Sequence, residues 1–301
     1  MKSGFVAILG RPNVGKSTLM NHILNQKISI VTDKSQTTRN NIKGIYTTKD
    51  YQIIFVDTPG IHKPYKKLGE EMNIMAYTAS HDVDVNILVI DSSLPFGSGD
   101  QYLFDHLGIS ETPLIICFNK IDLARIDKVE ELKKIYKEKY PNAEMVDLVA
   151  KDGFNVDSLL EKIVKYLPEG PCYYNEKQVT DSDEVFLIKE IIREKLLKTL
   201  KQEVPHSAAI YMNDIDWESN PLHIQGTIIL EKDSQKGIVI GRNGSTIKKI
   251  GTMARQSIEA LVKKHVYLEL FVKVDEDWRN QDKSLAQYGY KAKTEKWNLL
   301  S

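Results

Sequence analysis

Apolar residues follow two different rhythms along this chain. Up to residue 168, short apolar runs alternate with segments of helical spacing; the clearest runs are 5–9, 52–56, 86–91 and 113–118, and the last strand is expected at 144–149. Continuous runs are the mark of strands buried on both faces of a parallel sheet. Their alternation with helical patterns predicts an α/β domain with helices on both faces, and ligands gathered at the carboxyl ends of the strands. Beyond residue 183 the rhythm changes. Apolar positions 187, 188, 191, 192, 196, 197 and 200 predict an amphipathic helix over 185–200. Alternating segments at 208–212 and 222–230 predict antiparallel strands, 245–264 a helix with Ser245 as N-cap, and 265–274 a third strand. The order α-β-β-α-α-β describes an α+β domain.

Between the two rhythms stands Pro168-Glu-Gly-Pro171, a boundary signal, followed by a polar stretch from Asn175 to Asp183. The expected division is therefore 1–168, a linker at 169–183, 184–278, and a tail at 279–301 in which Tyr288, Tyr290 and Trp297 are scattered without a pattern. A length of 301 residues is consistent with two domains. The 41 Lys and Arg balance the 41 Asp and Glu, so a nucleic-acid surface has to be a local patch. Cys117 and Cys172 are too few for a disulfide framework, which favours a reduced, cytosolic compartment. The apolar run after Lys2 is too short for a signal peptide and reads as the first strand, and no run approaches the ~20 residues that span a bilayer.

Candidate chemistry sits where the first rhythm breaks. Gly10-Arg11-Pro12-Asn13-Val14-Gly15-Lys16-Ser17 follows a strand and leads into a helix beginning with Thr18. This is the P-loop pattern: glycines let backbone amides converge on phosphates, Lys16 reaches the β- and γ-phosphates, and the Ser17 hydroxyl meets Mg2+. The polar loop Asp33–Arg39 is expected to be a mobile segment whose Thr38 supplies a second hydroxyl to the metal. In Asp57-Thr58-Pro59-Gly60, at the end of a strand, Asp57 is expected to hold Mg2+ through water and Gly60 to offer its N–H to the γ-phosphate. Asn119-Lys120-Ile121-Asp122 selects the base. The Asp122 carboxylate accepts twice, matching the N1–H and exocyclic amine of guanine; the Lys120 stem can cover the purine face, and Asn119 can join the ring edge to the P-loop.

The second rhythm breaks at Lys236-Gly-Ile-Val-Ile240-Gly241-Arg242-Asn243-Gly244. A GxxG between helical segments is the mark of a KH RNA-binding domain, whose loop clamps the nucleic-acid backbone. Between 236 and 264 the cations Lys236, Arg242, Lys248, Lys249, Arg255, Lys263 and Lys264 face a single acid, Glu259, whereas a merely solvated helix mixes signs. Ile240 and its neighbours are expected partly in the core and partly along the groove where bases lie.

With Gln36-Thr-Thr-Arg39 and Glu203-Val-Pro-His-Ser207 added to these motifs, the chain resembles the Era family of bacterial GTPases over nearly its whole length. The resemblance implies a GTPase domain joined to a type II KH domain, binding near the 3′ end of 16S rRNA, assistance to 30S assembly, and loose association with the inner membrane face; a monomer is expected. A rival reading is a GTP-switched regulator at the membrane surface, with 245–264 as its basic amphipathic helix. Two departures stand out: Val149-Ala150 replaces the usual Ser-Ala at the base turn, leaving the Ala150 N–H for guanine O6, and Arg242-Asn243 replaces Lys-Gly. Where Ras-like enzymes carry a water-orienting glutamine this chain has Ile61, and His62 after it is expected to be only solvated. Asn13 resembles the residue that ligates K+ in related GTPases, so slow hydrolysis stimulated by potassium is expected, with Asn13, Lys16, Thr38 and Gly60 as the catalytic set.

Overall fold

In the computed structural model, which describes residues 1–292 apart from 35, 109, 110 and 202, the chain forms two compact units. The first contains Met1–Tyr65 and Gly69–Asp181, the second Ser182–Lys291.

The first unit runs β1 (Lys2–Gly10), α1 (Lys16–Ile23), β2 (Ile42–Thr47), β3 (Tyr51–Asp57), α2 (Lys67–His81), β4 (Val85–Asp91), α3 (Ser98–His106), β5 (Leu114–Asn119), α4 (Ile126–Lys139), β6 (Glu144–Leu148) and α5 (Val156–Tyr166). The sheet order is β2-β3-β1-β4-β5-β6, parallel except for β2. Val6–Leu9, Ile53–Phe55, Val85–Val89 and Ile115–Phe118 are buried, as strands covered on both faces require. Register brings the chemistry to one edge. Ile8 lies beside Asp57, Asp91 beside Asn119 and Asn119 beside Leu148, so the chain leaves each strand at the same end of the sheet.

Strand β2 had no clear sequence signal. Its apolar residues Ile42 and Ile45 are separated by Lys43 and Gly44, and it pairs antiparallel at the sheet edge. That edge is covered by the stretch expected as a free linker. Ile45 N donates to Val179 O at 2.8 Å and Thr180 Oγ1 to Lys43 O at 2.7 Å. The fully buried Gln52 amide accepts from Tyr173 N and Tyr174 N at 2.8 and 3.0 Å and donates to Tyr174 O at 2.9 Å. A buried carboxamide needs such partners, so residues up to 181 are held against the first unit.

The second unit runs α6 (Glu184–Thr199), α7 (Val204–Ser207), β7 (Ala209–Asp216), β8 (Leu222–Leu230), α8 (Lys236–Ile240), α9 (Ser245–Val262), β9 (Val266–Val274) and α10 (Asp282–Gln287). Strand β8 is central, antiparallel to β7 and parallel to β9. Ile188, Ile192 and Leu196 of α6 and Ile250, Ala254 and Ile258 of α9 close one core with Ile224 and Ile228 of β8. The Asp183 carboxylate caps α6 by accepting from Phe186 N at 2.6 Å. Residues expected as a tail are folded here: Leu285, Tyr288 and Tyr290 are buried together with Trp278, and Ser284 Oγ and Tyr288 OH both donate to Asp275 at 2.7 Å. Trp297 lies outside the described residues.

Candidate active site and candidate nucleic-acid interface

Gly15 stands immediately before α1 with φ of 104°, and a Cβ there would lie 2.3 Å from Asn119 Nδ2. Only glycine meets both conditions. Lys16 is buried, its Nζ donating to Arg11 O at 2.8 Å and Gly10 O at 3.2 Å. Burial pulls its pKa down to about 8, against the attraction of Asp57.

Ser17, Thr38 and Asp57 come from three different segments and converge. Ser17 Oγ donates to Asp57 Oδ2 at 2.6 Å and lies 2.9 Å from Thr38 Oγ1, which is 3.5 Å from the same carboxylate oxygen. Asp57 Oδ1 is buried with no hydrogen-bond partner among the described residues. Burial pushes the Asp57 carboxyl above its ordinary range; Lys16 and the surrounding hydroxyls oppose it. Two hydroxyls and one carboxylate with a spare oxygen form a hard donor set, suited to a small divalent cation that keeps most of its water. Among the described residues no group of three or more His, Cys, Asp or Glu side chains could hold a metal. A cavity of about 380 Å3 opens above it, lined by Pro12, Lys16, Thr18, Thr38, Gly60 and Lys120 among others.

The base end is built from the strand that follows. Asn119 Nδ2 donates to Val14 O at 2.7 Å, and its Oδ1 accepts from Ala150 N at 2.8 Å. The carboxamide thus ties the P-loop to the turn after β6. Lys120, at φ 62°, donates from Nζ to Asn13 O at 2.8 Å and to Asp91 Oδ2 at 2.5 Å. Asp122 is exposed on the turn Ile121–Leu123.

Several expected contacts are placed differently. The Ala150 N–H, expected at guanine O6, is engaged by Asn119 because the carboxamide lies against that turn. The Arg11 guanidinium is drawn away to Asp100 of α3 at 2.6 Å, and Asp100 also accepts from Tyr136 OH at 3.0 Å. The Thr58 hydroxyl donates to Ile8 O at 2.7 Å, which bonds the turn to β1. Asn13 Nδ2 donates to Asp33 O at 2.9 Å. His62 is not simply solvated: both ring nitrogens and both backbone polar groups have partners within the unit. Asp91 and Asp100 were not singled out from sequence, although an acid at a strand end or in a first helical turn was the available signal.

In the second unit the chain reverses between α8 and α9 through Gly241 at φ 76°, Asn243 at φ 52° and Gly244 at φ 76°. A Cβ on Gly241 would meet Thr246 Oγ1 at 2.2 Å; on Gly244 it would meet nothing within 4 Å. Arg242, Lys248, Lys249 and Arg255 are exposed, and Ile240 is 37 % exposed at the loop's entry. Lys236 pairs with Asp233 at 2.8 Å and Arg255 with Glu259 at 3.5 Å, exposed pairs that a phosphate can displace. A groove of about 270 Å3 runs beside the loop between Ile247, Lys248, Thr252 and Arg255 of α9 and Leu268 and Leu270 of β9. The Glu203–Ser207 segment braces the approach. Ser207 Oγ accepts from Gln235 Nε2 at 2.8 Å, Ser207 O accepts from Trp278 Nε1 at 2.9 Å, and Gln235 Oε1 accepts from Glu231 N and Lys232 N at 3.1 Å.

Comparison with known proteins bears on both regions. A family model described as a 50S ribosome-binding GTPase matches residues 5–120, and one described as a KH domain matches 195–279. The chain is 47 % identical over 291 residues to the protein named GTPase Era of Caldanaerobacter subterraneus subsp. tengcongensis, covering 96 % of this chain and 98 % of that one. A crystal structure of an Aquifex aeolicus Era variant bound to GDP·AlF4− superposes with a TM-score of 0.91 at 39 % identity, covering 97 % of this chain and all of that one. A structure of Era with MgGDPNP and nucleotides 1506–1542 of 16S ribosomal RNA gives the same TM-score and identity over 97 % and 99 %.

Proposed function

Because the chain belongs to the Era family of GTPases, we propose that it binds GTP and GDP with Mg2+, hydrolyses GTP to GDP and phosphate, and holds the 3′ end of 16S rRNA on its KH unit during 30S maturation. The observation that carries the first part is the meeting of Ser17, Thr38 and the half-satisfied Asp57 beside the buried Lys16. These three residues would hold Mg2+, whose charge would offset that of the phosphates. Lys16 would exchange its carbonyl partners for phosphate oxygens, Gly60 would donate to the γ-phosphate, and the Gly10–Thr18 backbone would cradle the rest. Asp122, exposed at the base end, would accept from guanine. Domain roles follow the units: nucleotide chemistry in the first, RNA in the second through Lys236, Ile240, the Gly241–Gly244 loop, Lys248, Lys249 and Arg255.

The test is Asp122→Asn. Removing the double acceptor is expected to shift preference from guanosine to xanthosine nucleotides; unchanged GTP affinity in the variant would overturn the assignment.

Hydrolysis without a partner is expected to be slow, on the order of one turnover per tens of minutes, because Ile61 is fully buried and cannot orient water. With Nδ2 tied to Asp33, Asn13 has Oδ1 to offer to K+ beside the phosphates. Potassium is expected to stimulate single-turnover hydrolysis where sodium does not, and Asn13→Ala to abolish the difference. Equal rates in the two salts would remove potassium from the reading.

The protein is expected to act as a cytoplasmic monomer. A role as membrane-surface regulator is less well supported. No helix among the described residues is long and apolar enough to cross a membrane, and α9 commits Ile250, Ala254 and Ile258 to the core of its own unit. That turns the main apolar stripe of α9 inward, away from any bilayer. Salt-titrated rRNA binding beside liposome co-sedimentation separates the two readings.

A further inference from the structure

Gly60 lies where β3 has ended and the chain crosses the P-loop so closely that a Cβ would sit 2.7 Å from Pro12 Cα. The peptide that follows it is held from both sides. Ile61 N donates to Gly10 O at 3.1 Å, and the Gly60 carbonyl lies 2.8 Å from His62 Nδ1. A carbonyl can only accept, so Nδ1 carries the ring proton. In the neutral ring Nε2 is then an acceptor, and Gln36 Nε2 stands 3.1 Å away to donate to it. The histidine backbone is itself clamped by one side chain of α2: Asn73 Oδ1 accepts from His62 N at 3.3 Å, and Asn73 Nδ2 donates to His62 O at 2.8 Å. Asn73 is buried, so the clamp is anchored in the unit's interior.

The imidazole therefore bridges the two loops that the nucleotide has to gather: Gly60 on one side and, through Gln36, the segment carrying Thr38 on the other. The geometry points to His62 as a positioning residue for hydrolysis. It fixes the Gly60–Ile61 peptide, and with it the orientation of Gly60, while restraining the Gln36–Thr38 segment beside it. It is not the base. Its two ring nitrogens are both engaged by protein groups, and the proton it holds is directed at a carbonyl. The effect belongs to the triphosphate state, since Gly60 faces the γ-phosphate and GDP has none. This inference rests on the assignment of Gly60 to the γ-phosphate made above.

Four variants test it by single-turnover hydrolysis at saturating GTP and by GDP affinity. His62→Ala is expected to slow hydrolysis on the order of tenfold, as a small loss of alignment does, with GDP affinity within about twofold of wild type because no γ-phosphate is involved. His62→Asn keeps a donor at the place of Nδ1 and is expected to recover most of the rate. His62→Gln puts its amide at the place of Nε2 and is expected to stay slow. These two full-length variants also decide the matter if the alanine protein does not fold. Gly60→Ala separates the premise from the inference. If it hydrolyses normally, the γ-phosphate assignment fails; if it is impaired while His62→Ala is normal, only the role of His62 fails. A His62→Asn protein as slow as His62→Gln, or a loss of GDP affinity parallel to the loss of rate, also overturns the inference.

Discussion

Two glycine-bearing loops each deliver the chain to a helix, and they are built in opposite ways. The loop before α1 is caged. Gly15 is pressed against Asn119, Lys16 is buried among carbonyls, and Asn119 and Lys120 bond back to Val14 and Asn13 from another strand. The loop before α9 is open. Gly244 has empty space where a side chain would be, and the surrounding cations stand in solvent. The contrast is chemical. A caged loop presents buried polar groups in fixed directions, and a ligand that fails to match them leaves donors and acceptors unsatisfied. An open, charged loop presents shape and charge to a phosphate backbone, and its hold is set by counterion release.

Adding volume to the caged loop should break it most severely. Gly15→Ala drives a methyl group into the Asn119 carboxamide at a backbone angle that disfavours any side chain. Nucleotide affinity is expected to fall on the order of 100-fold, about 3 kcal/mol, by fluorescent-GDP titration, with rRNA binding by the same protein unchanged. Charge, added at Gly244 into empty space and at Gly241 together with volume that meets Thr246, should break the open loop. Gly241→Asp with Gly244→Asp sets carboxylates against incoming phosphates and is expected to weaken rRNA binding at least on the order of 30-fold, while GTP hydrolysis without RNA stays at the wild-type rate. Wild-type RNA affinity in that protein would show that the second unit reads RNA elsewhere.

A finer test asks whether the open loop works through charge. Lys248→Ala is expected to weaken binding a few-fold across RNA sequences and to lower the slope of log affinity against log salt by about 1. An unchanged slope would place Lys248 off the phosphate path. The smallest effect is expected from Gly244→Ala. The methyl group meets nothing, and only the φ of 76° resists it, a strain of about 1 kcal/mol. RNA affinity should change less than about threefold, in contrast to Gly15→Ala, although both add one methyl group at a left-handed glycine before a helix.

Much of this was legible in the sequence. The buried strands announced themselves as apolar runs because a strand covered on both faces has no polar side to alternate, and the motifs carried their own spacing because Gly10–Ser17, Asp57–Gly60 and Asn119–Asp122 are each local in the chain. The same locality fixed the Gly241–Gly244 loop and its cationic surroundings. What the sequence could not carry was any relation between distant residues. Strand β2 was missed because an edge strand of mixed polarity takes its identity from its partner β3. The packed 171–181 segment looked like a linker because its order depends on the buried amide of Gln52, some 120 residues away in sequence. Asp100 drawing off Arg11, Asn119 engaging Ala150 N–H, and Ser207 bracing Trp278 are likewise long-range partnerships. His62 makes the point most clearly. Beside Lys63 it reads as one more solvated loop residue, and only the fold brings Gly60, Gln36 and Asn73 around it. A sequence records which groups are available; which donor finds which acceptor is settled when packing excludes water and every buried polar group has to be satisfied.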